Sequence, residues 1–225
     1  MTTELTSTET TMVPSEPSSM LTGEWDATDI ELSRLSLMHP TMEDADKIAP
    51  GSVLLNKTIV LGNGNDDKVP TVVLSMDKYY QEHIDWKDQS KGAPKRFGSE
   101  DSAKKQGLVS KWDASSQYNK GPNPYYVSCA DAVVLVKVPA DHAHYTYEGN
   151  HYAKAMVTFR GTAYQCAKAI VTAAQTKNGY PHLVHWLLGS AKGLTPEGTV
   201  YYRMILENQG PTPTEFANWL NTEIL

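Results

Sequence analysis

The sequence predicts a mainly β domain: a small five-stranded barrel with one helix between the third and fourth strands and a second helix at the C-terminus. Three observations lead there. Short β-prone runs are separated by Gly/Asn/Pro turn signals, which favours a small antiparallel sheet or barrel over a parallel α/β sheet. One segment, "TAYQCAKAIVTAAQTKNG", carries a clear helical stripe. The chain then closes on "TPTEFANWLNTEI", a second amphipathic run with its own start signal.

The elements follow in order. Residues 1–22 are rich in Ser and Thr and contain no Lys or Arg. Such a segment cannot bury enough apolar surface to offset its ordering entropy, so it is expected to be a disordered tail. The folded domain is expected over 23–225, with order beginning where Ile30, Leu32, Leu35 and Leu37 supply apolar anchors. "GSVLLNKTIVLGNGNDDKVPTVVLSM" reads as two strands joined by the turn Gly62–Asp67, with Val53, Leu55, Lys57 and Ile59 on one face of the first. No helix follows Gly62-Asn63-Gly64, so this is not a dinucleotide fingerprint.

An insertion at about 81–124 separates this pair from two further strands, "YYVSCADAVVLVKV" and "YAKAMVTFRG". In the helix, Ala163, Cys166, Ala167, Ile170, Val171 and Ala174 share one face; Thr162 is expected to cap its start and Asn178-Gly179 its end. "PHLVHWLLGS" and "TVYYRMILEN" are the last strands. Thr212-Pro213-Thr214-Glu215 has the form of a capping box, and Phe216, Trp219 and Leu220 would dock the final helix. A helix between the third and fourth strands suits an OB-like barrel, although other α+β topologies accommodate the same order.

Composition narrows the function classes. No apolar run approaches the ~18 residues that cross a bilayer, so no membrane span is expected. The N-terminus lacks a basic region followed by an apolar stretch, which points to the cytoplasm. The two cysteines, Cys129 and Cys166, are expected as buried free thiols. No phosphate-binding loop, nucleophile elbow or cysteine-nucleophile motif is present, so neither enzymatic activity nor a cofactor is expected.

Charge patterning is the more informative signal. The chain has a formal net charge of -6. Residues 86–120 nevertheless hold eight Lys or Arg against four acids, with Trp86, Phe97, Trp112 and Tyr118 among them. Single-stranded nucleic acid offers phosphates and unstacked bases, and a non-specific binder needs cations for one and flat rings for the other. Each stacked base contributes ~1–3 kcal/mol, and phosphate contacts add a salt-sensitive term. The candidate rings are Tyr79, Tyr80, Trp86, Phe97 and Trp112; the candidate cations are Lys87, Lys95, Arg96, Lys104, Lys105 and Lys111. Tyr201 and Arg203 join them as a pair expected on the outer face of the last strand. The bland alternative is a solvated loop whose lysines are merely exposed. A weaker rival is a metal site in "DHAHYTYEGNHY", where His142 and His144 would share a strand face and Asp141 or His151 would complete the ligand set.

Three stretches carry a resemblance. "DIELSRLSLMHPTMEDADKIAPGSVLLNKT", "VVLSMDKYYQEHIDWKD" and "TVYYRMILENQGPTPTEFANWLNTEI" resemble the opening, insertion-bearing and closing segments of phage-encoded OB-fold proteins thought to bind single-stranded DNA. The likeness is one of layout over residues 29–222. It implies a single-stranded DNA partner, replication proteins as further partners, and a role in phage-type replication or recombination within the host cytoplasm. The alternative it leaves open is a phage protein-interaction or virion component. Two departures stand out: only two cysteines are available for the zinc cluster that some such proteins carry, and the acidic segment lies at the N-terminus rather than the C-terminus.

Overall fold

A computed structural model describes residues 32–64, 66–83, 92–111, 124–196 and 198–225. The proposed tail at 1–22 lies outside the described residues. Leu32–Leu225 form one compact unit. Its centre is a curled, open sheet of eleven strands among the described residues, not the five expected.

The difference comes from short strands. Five are long: β4 (Val69–Glu82), β7 (Tyr125–Lys137), β9 (Asn150–Arg160), β10 (Val184–Leu194) and β11 (Val200–Pro211). Their order in the sheet is β11-β10-β4-β7-β9, every neighbouring pair antiparallel. Helix α2 (Tyr164–Gln175) falls between the third and fourth of them in chain order. Beyond β9 the sheet continues through β1 (Ser33–Leu37), parallel to β9, then β2 (Val53–Leu55) and β3 (Ile59–Gly62). The remaining short strands are β5 (Arg96–Phe97) and β6 (Val109–Ser110) in the insertion, and β8 (Tyr145–Tyr147) beside β9.

One expected strand is in fact a hairpin. Val53–Val60 does not run straight; Asn56 (φ 52°) and Lys57 (φ 67°) both take the left-handed conformation and fold β3 back onto β2, pairing Leu55 with Ile59. Asn occupies this region readily, whereas lysine does so at a cost. The face assigned to Val53, Leu55, Lys57 and Ile59 is therefore broken at Lys57.

A bulge shapes β4. Val73 pairs with Val134 and Ser75 with Val133, so Leu74 is the extra residue. Val73 and Met76, three apart, then both pack on the main core, which strict alternation forbids. That core joins Val73, Val134, Val157, Phe159, Trp186 and Leu188 from the sheet with Cys166, Ala167 and Ile170 of α2. Cys129 and Cys166 are buried and free. Val171, placed on the buried stripe by spacing, is instead 46% exposed.

Helix α3 (Thr214–Trp219), extended by a wider turn over Leu220–Ile224, packs on the opposite face of the sheet. Phe216, Leu220 and Ile224 meet Val72, Leu74 and Leu135, with Trp219 at the margin. Both cap expectations need correction. No side chain caps α2, which is preceded by the single 3-10 turn Gly161–Ala163. Thr212 bonds the His182 carbonyl (2.8 Å) rather than capping α3, because its hydroxyl is drawn to the neighbouring buried backbone. At the other end of α2, Asn178 and Gly179 have positive φ, and the Gly179 amide bonds the Ala174 carbonyl.

Candidate nucleic-acid interface

The described part of the insertion, residues 92–111, carries a short helix and two short strands. Ser99 accepts a hydrogen bond from the Ser102 amide and starts helix α1 (Glu100–Lys105). Ala103 and Leu108 bury themselves against Tyr126, with Tyr80 and Phe97 packed around them. Tyr80 meets Tyr126 edge-on at 5.5 Å, and the Lys78 ammonium sits 4.9 Å over the Tyr80 ring. Tyr126 donates to Glu100 (2.6 Å), which also pairs with Lys104 (2.8 Å). These two partners, Lys104 first, hold the Glu100 carboxyl below its ordinary range.

A second anchor lies one strand face away. Asp131 of β7 pairs with Arg96 (3.2 Å), accepts from Thr158 (2.6 Å) and faces the Tyr79 hydroxyl at 3.4 Å. The Arg96 guanidinium lies 4.6 Å over the Tyr79 ring. Burial first, then the Asp131 charge, pushes the Tyr79 phenol up to about 12. Tyr79 is 9% exposed, so its ring is a packed one.

The expected site residues therefore separate. Tyr79, Tyr80 and Phe97 tie the insertion to the sheet, and Arg96 and Lys104 have intramolecular ion pairs. Lys95, Lys105 and Lys111 face solvent. Trp86, Lys87 and Trp112 lie outside the described residues. Arg203 is exposed on β11, and the Tyr201 ring lies across Gly193, its partner on β10. Register sets these two far from the insertion. The insertion leaves β4 at Glu82, whereas Tyr201 sits on the stretch of the β10–β11 hairpin that runs past Val69 at the other end of β4.

The geometry assembles a different group at the insertion's root. Gln81 and His83 at the end of β4, Tyr125 at the start of β7, Arg160 at the end of β9 and Lys111 from the insertion line a cleft of about 330 Å³. The His83 and Tyr125 rings are stacked, 4.4 Å apart and 14° from parallel, and the His83 amide bonds the Tyr125 carbonyl at 2.8 Å. Burial pushes the Tyr125 phenol up. His83, Lys111 and Arg160 are exposed, so the outer imidazole face and both cations remain accessible. Gly161 (φ 57°) turns the chain from β9 toward α2 at the cleft wall, with open space where a side chain would stand. His83, Tyr125 and Arg160 escape a composition-based search because they lie at strand ends flanking the basic segment. The signal for Arg160 is its place beside a strand-ending glycine.

The histidine rival loses its geometry. His142 lies in a 3-10 turn, Ala140–His142, not on a strand shared with His144. His142 approaches Asp141 (3.4 Å), while the His151 ring approaches the Thr146 hydroxyl (3.3 Å). Among the described residues, no three His, Cys, Asp or Glu side chains gather as a metal site.

No protein family matches this chain, and neither does any curated protein or solved structure.

Proposed function

We propose that the chain is a sequence-non-specific single-stranded DNA-binding protein without enzymatic activity, acting in phage-type replication or recombination. The observation that carries the reading is the His83–Tyr125 stacked pair flanked by Lys111 and Arg160. A base adding to the outer His83 face extends an existing stack, and the two cations meet the adjoining phosphates. Supporting it, the order β11-β10-β4-β7-β9 with α2 before β10 is compatible with the five-stranded OB-like barrel expected from the sequence. In that arrangement the loop between the first two long strands is a usual ligand-binding loop, and here it is the basic insertion. The three N-terminal strands are additions beyond β9.

An acidic chain remains compatible with this role. A local basic cleft attracts a polyanion at short range, where screening is incomplete, and the affinity then falls steeply with salt. Intrinsic tryptophan fluorescence titrated with an oligothymidylate at several salt concentrations tests the reading. The expected result is saturable quenching that weakens with salt, with duplex DNA competing poorly.

One observation favours the competing role of a protein-interaction component. Met76, Ile170, Val171 and Ala174 line an apolar groove of about 400 Å³ between β4 and α2. That reading requires no response to the oligonucleotide at low salt, so the same titration decides between them.

A further inference from the structure

A second cavity lies at the other end of β4, β7 and β9, about 35 Å from the cleft along the strands. It has a volume of about 360 Å³ and three aromatic walls, Tyr147, Tyr152 and Phe216, with Glu148 and Glu215 also lining it. The rings of the wall pack on one another and on Trp219. Tyr147 lies 5.0 Å from Phe216 and 5.1 Å from Trp219; Tyr152 lies 5.5 Å and 5.9 Å from the same two rings. Phe216 and Trp219 stack at 5.3 Å.

Each carboxylate has a structural reason to be there. Glu148 (φ 46°) and Gly149 (φ 75°) form the tight turn between β8 and β9, which sets Glu148 next to Tyr147. Glu215 is in the first turn of α3, fixed by the docking of Phe216. The Tyr147 phenol is pushed up, by desolvation first and then by Glu148 and Glu215, in keeping with carboxylates close to the ring. His185 borders the cavity, and burial lowers its pKa, which favours the uncharged ring. Lys137, paired across the strands with Tyr152, is the cation in the lining among the described residues, and it is exposed.

Aromatic faces attract cations through their quadrupole, and nearby carboxylates reinforce the attraction. We infer that this cavity receives the guanidinium or ammonium group of a basic segment on a partner protein, held against the wall formed by Tyr147, Tyr152 and Phe216 and paired with Glu148 and Glu215. The two exposed carboxylates favour a cation over a neutral ligand, and an anion would be repelled. Lys137 is the intramolecular competitor, so its removal strengthens binding.

The test is an amide-resolved NMR titration of the full chain with the blocked peptide acetyl-Gly-Arg-Gly-amide, using the citrulline version as the neutral isostere. Saturable shifts are expected for residues 147–150 and Thr214–Trp219, with the citrulline peptide at least about fivefold weaker. The double variant E148Q/E215Q is expected to lose a similar factor, and K137Q to gain affinity. Both alter exposed side chains, and the wild-type spectrum elsewhere reports that the fold is kept. Equal binding of the two peptides, shifts confined to other regions, or an E148Q/E215Q variant indistinguishable from wild type overturns the inference. None of these outcomes depends on whether the distant cleft binds DNA.

Discussion

Tyr79 illustrates how one side chain changes role once its neighbours are known. In sequence it is a ring before a basic segment; in the fold it is packed beneath Arg96 and beside Asp131. Its phenol, pushed up to about 12, links stability to alkaline pH. The folded state keeps this proton while the unfolded chain releases it near the ordinary value of ~10. The stabilisation is thus complete below pH ~10 and is lost as pH rises toward 12. Urea midpoints compared between pH 8 and 11 should fall more for the wild type than for Y79F. An equal decline in both would place the linkage elsewhere. Gly51 makes a comparable point about space: φ is +93°, and a Cβ there would lie 2.5 Å from the Tyr202 ring. Gly51→Ala is expected to cost about 1–3 kcal/mol, measured by denaturant unfolding.

At the scale of elements, α3 shows what apolar spacing reveals. Phe216 and Leu220 are four apart, both are buried, and both pack on Val72, Leu74 and Leu135. Leu220 is 0% exposed, so Leu220→Ala should lower stability by about 2–5 kcal/mol in an unfolding titration. The β2–β3 hairpin shows where the reading fails. Alternation through Val53–Val60 mimics one strand, because Asn56-Lys57-Thr58 lacks the glycine that usually announces a tight reversal. Replacing Lys57 (φ 67°) with glycine relieves the left-handed strain and should raise stability by up to about 1 kcal/mol. The bulge at Leu74 is equally silent, since it depends on which β7 residue each β4 residue meets. Helix α2 was legible in Cys166, Ala167, Ile170 and Ala174, all buried, but not at Val171, where the β4 surface leaves a groove. The long strands and both larger helices could thus be read from local pattern. The short strands β1–β3, β5, β6 and β8 depend on long-range pairing that no window of sequence contains.

For the whole molecule, the composition of the insertion draws attention to a segment that borders the cleft, while several of the side chains it singles out have packing roles in the fold. Charge and aromatic counts drew attention to Tyr79, Tyr80, Arg96 and Phe97, which the fold uses to fasten the insertion down. The cleft itself is made where three separate strand ends converge with Lys111, a convergence invisible before the sheet order is known. The proposed role of this cleft is to bind single-stranded DNA through Tyr125, His83, Lys111 and Arg160. Fluorescence anisotropy of a labelled oligothymidylate, titrated with wild type and with K111A/R160A at a series of salt concentrations, tests it most directly. Weaker binding by the variant is expected at low salt, with a log–log salt slope reduced by about 1.4, two phosphate contacts at ~0.7 each. Binding with the wild-type affinity and slope would contradict it.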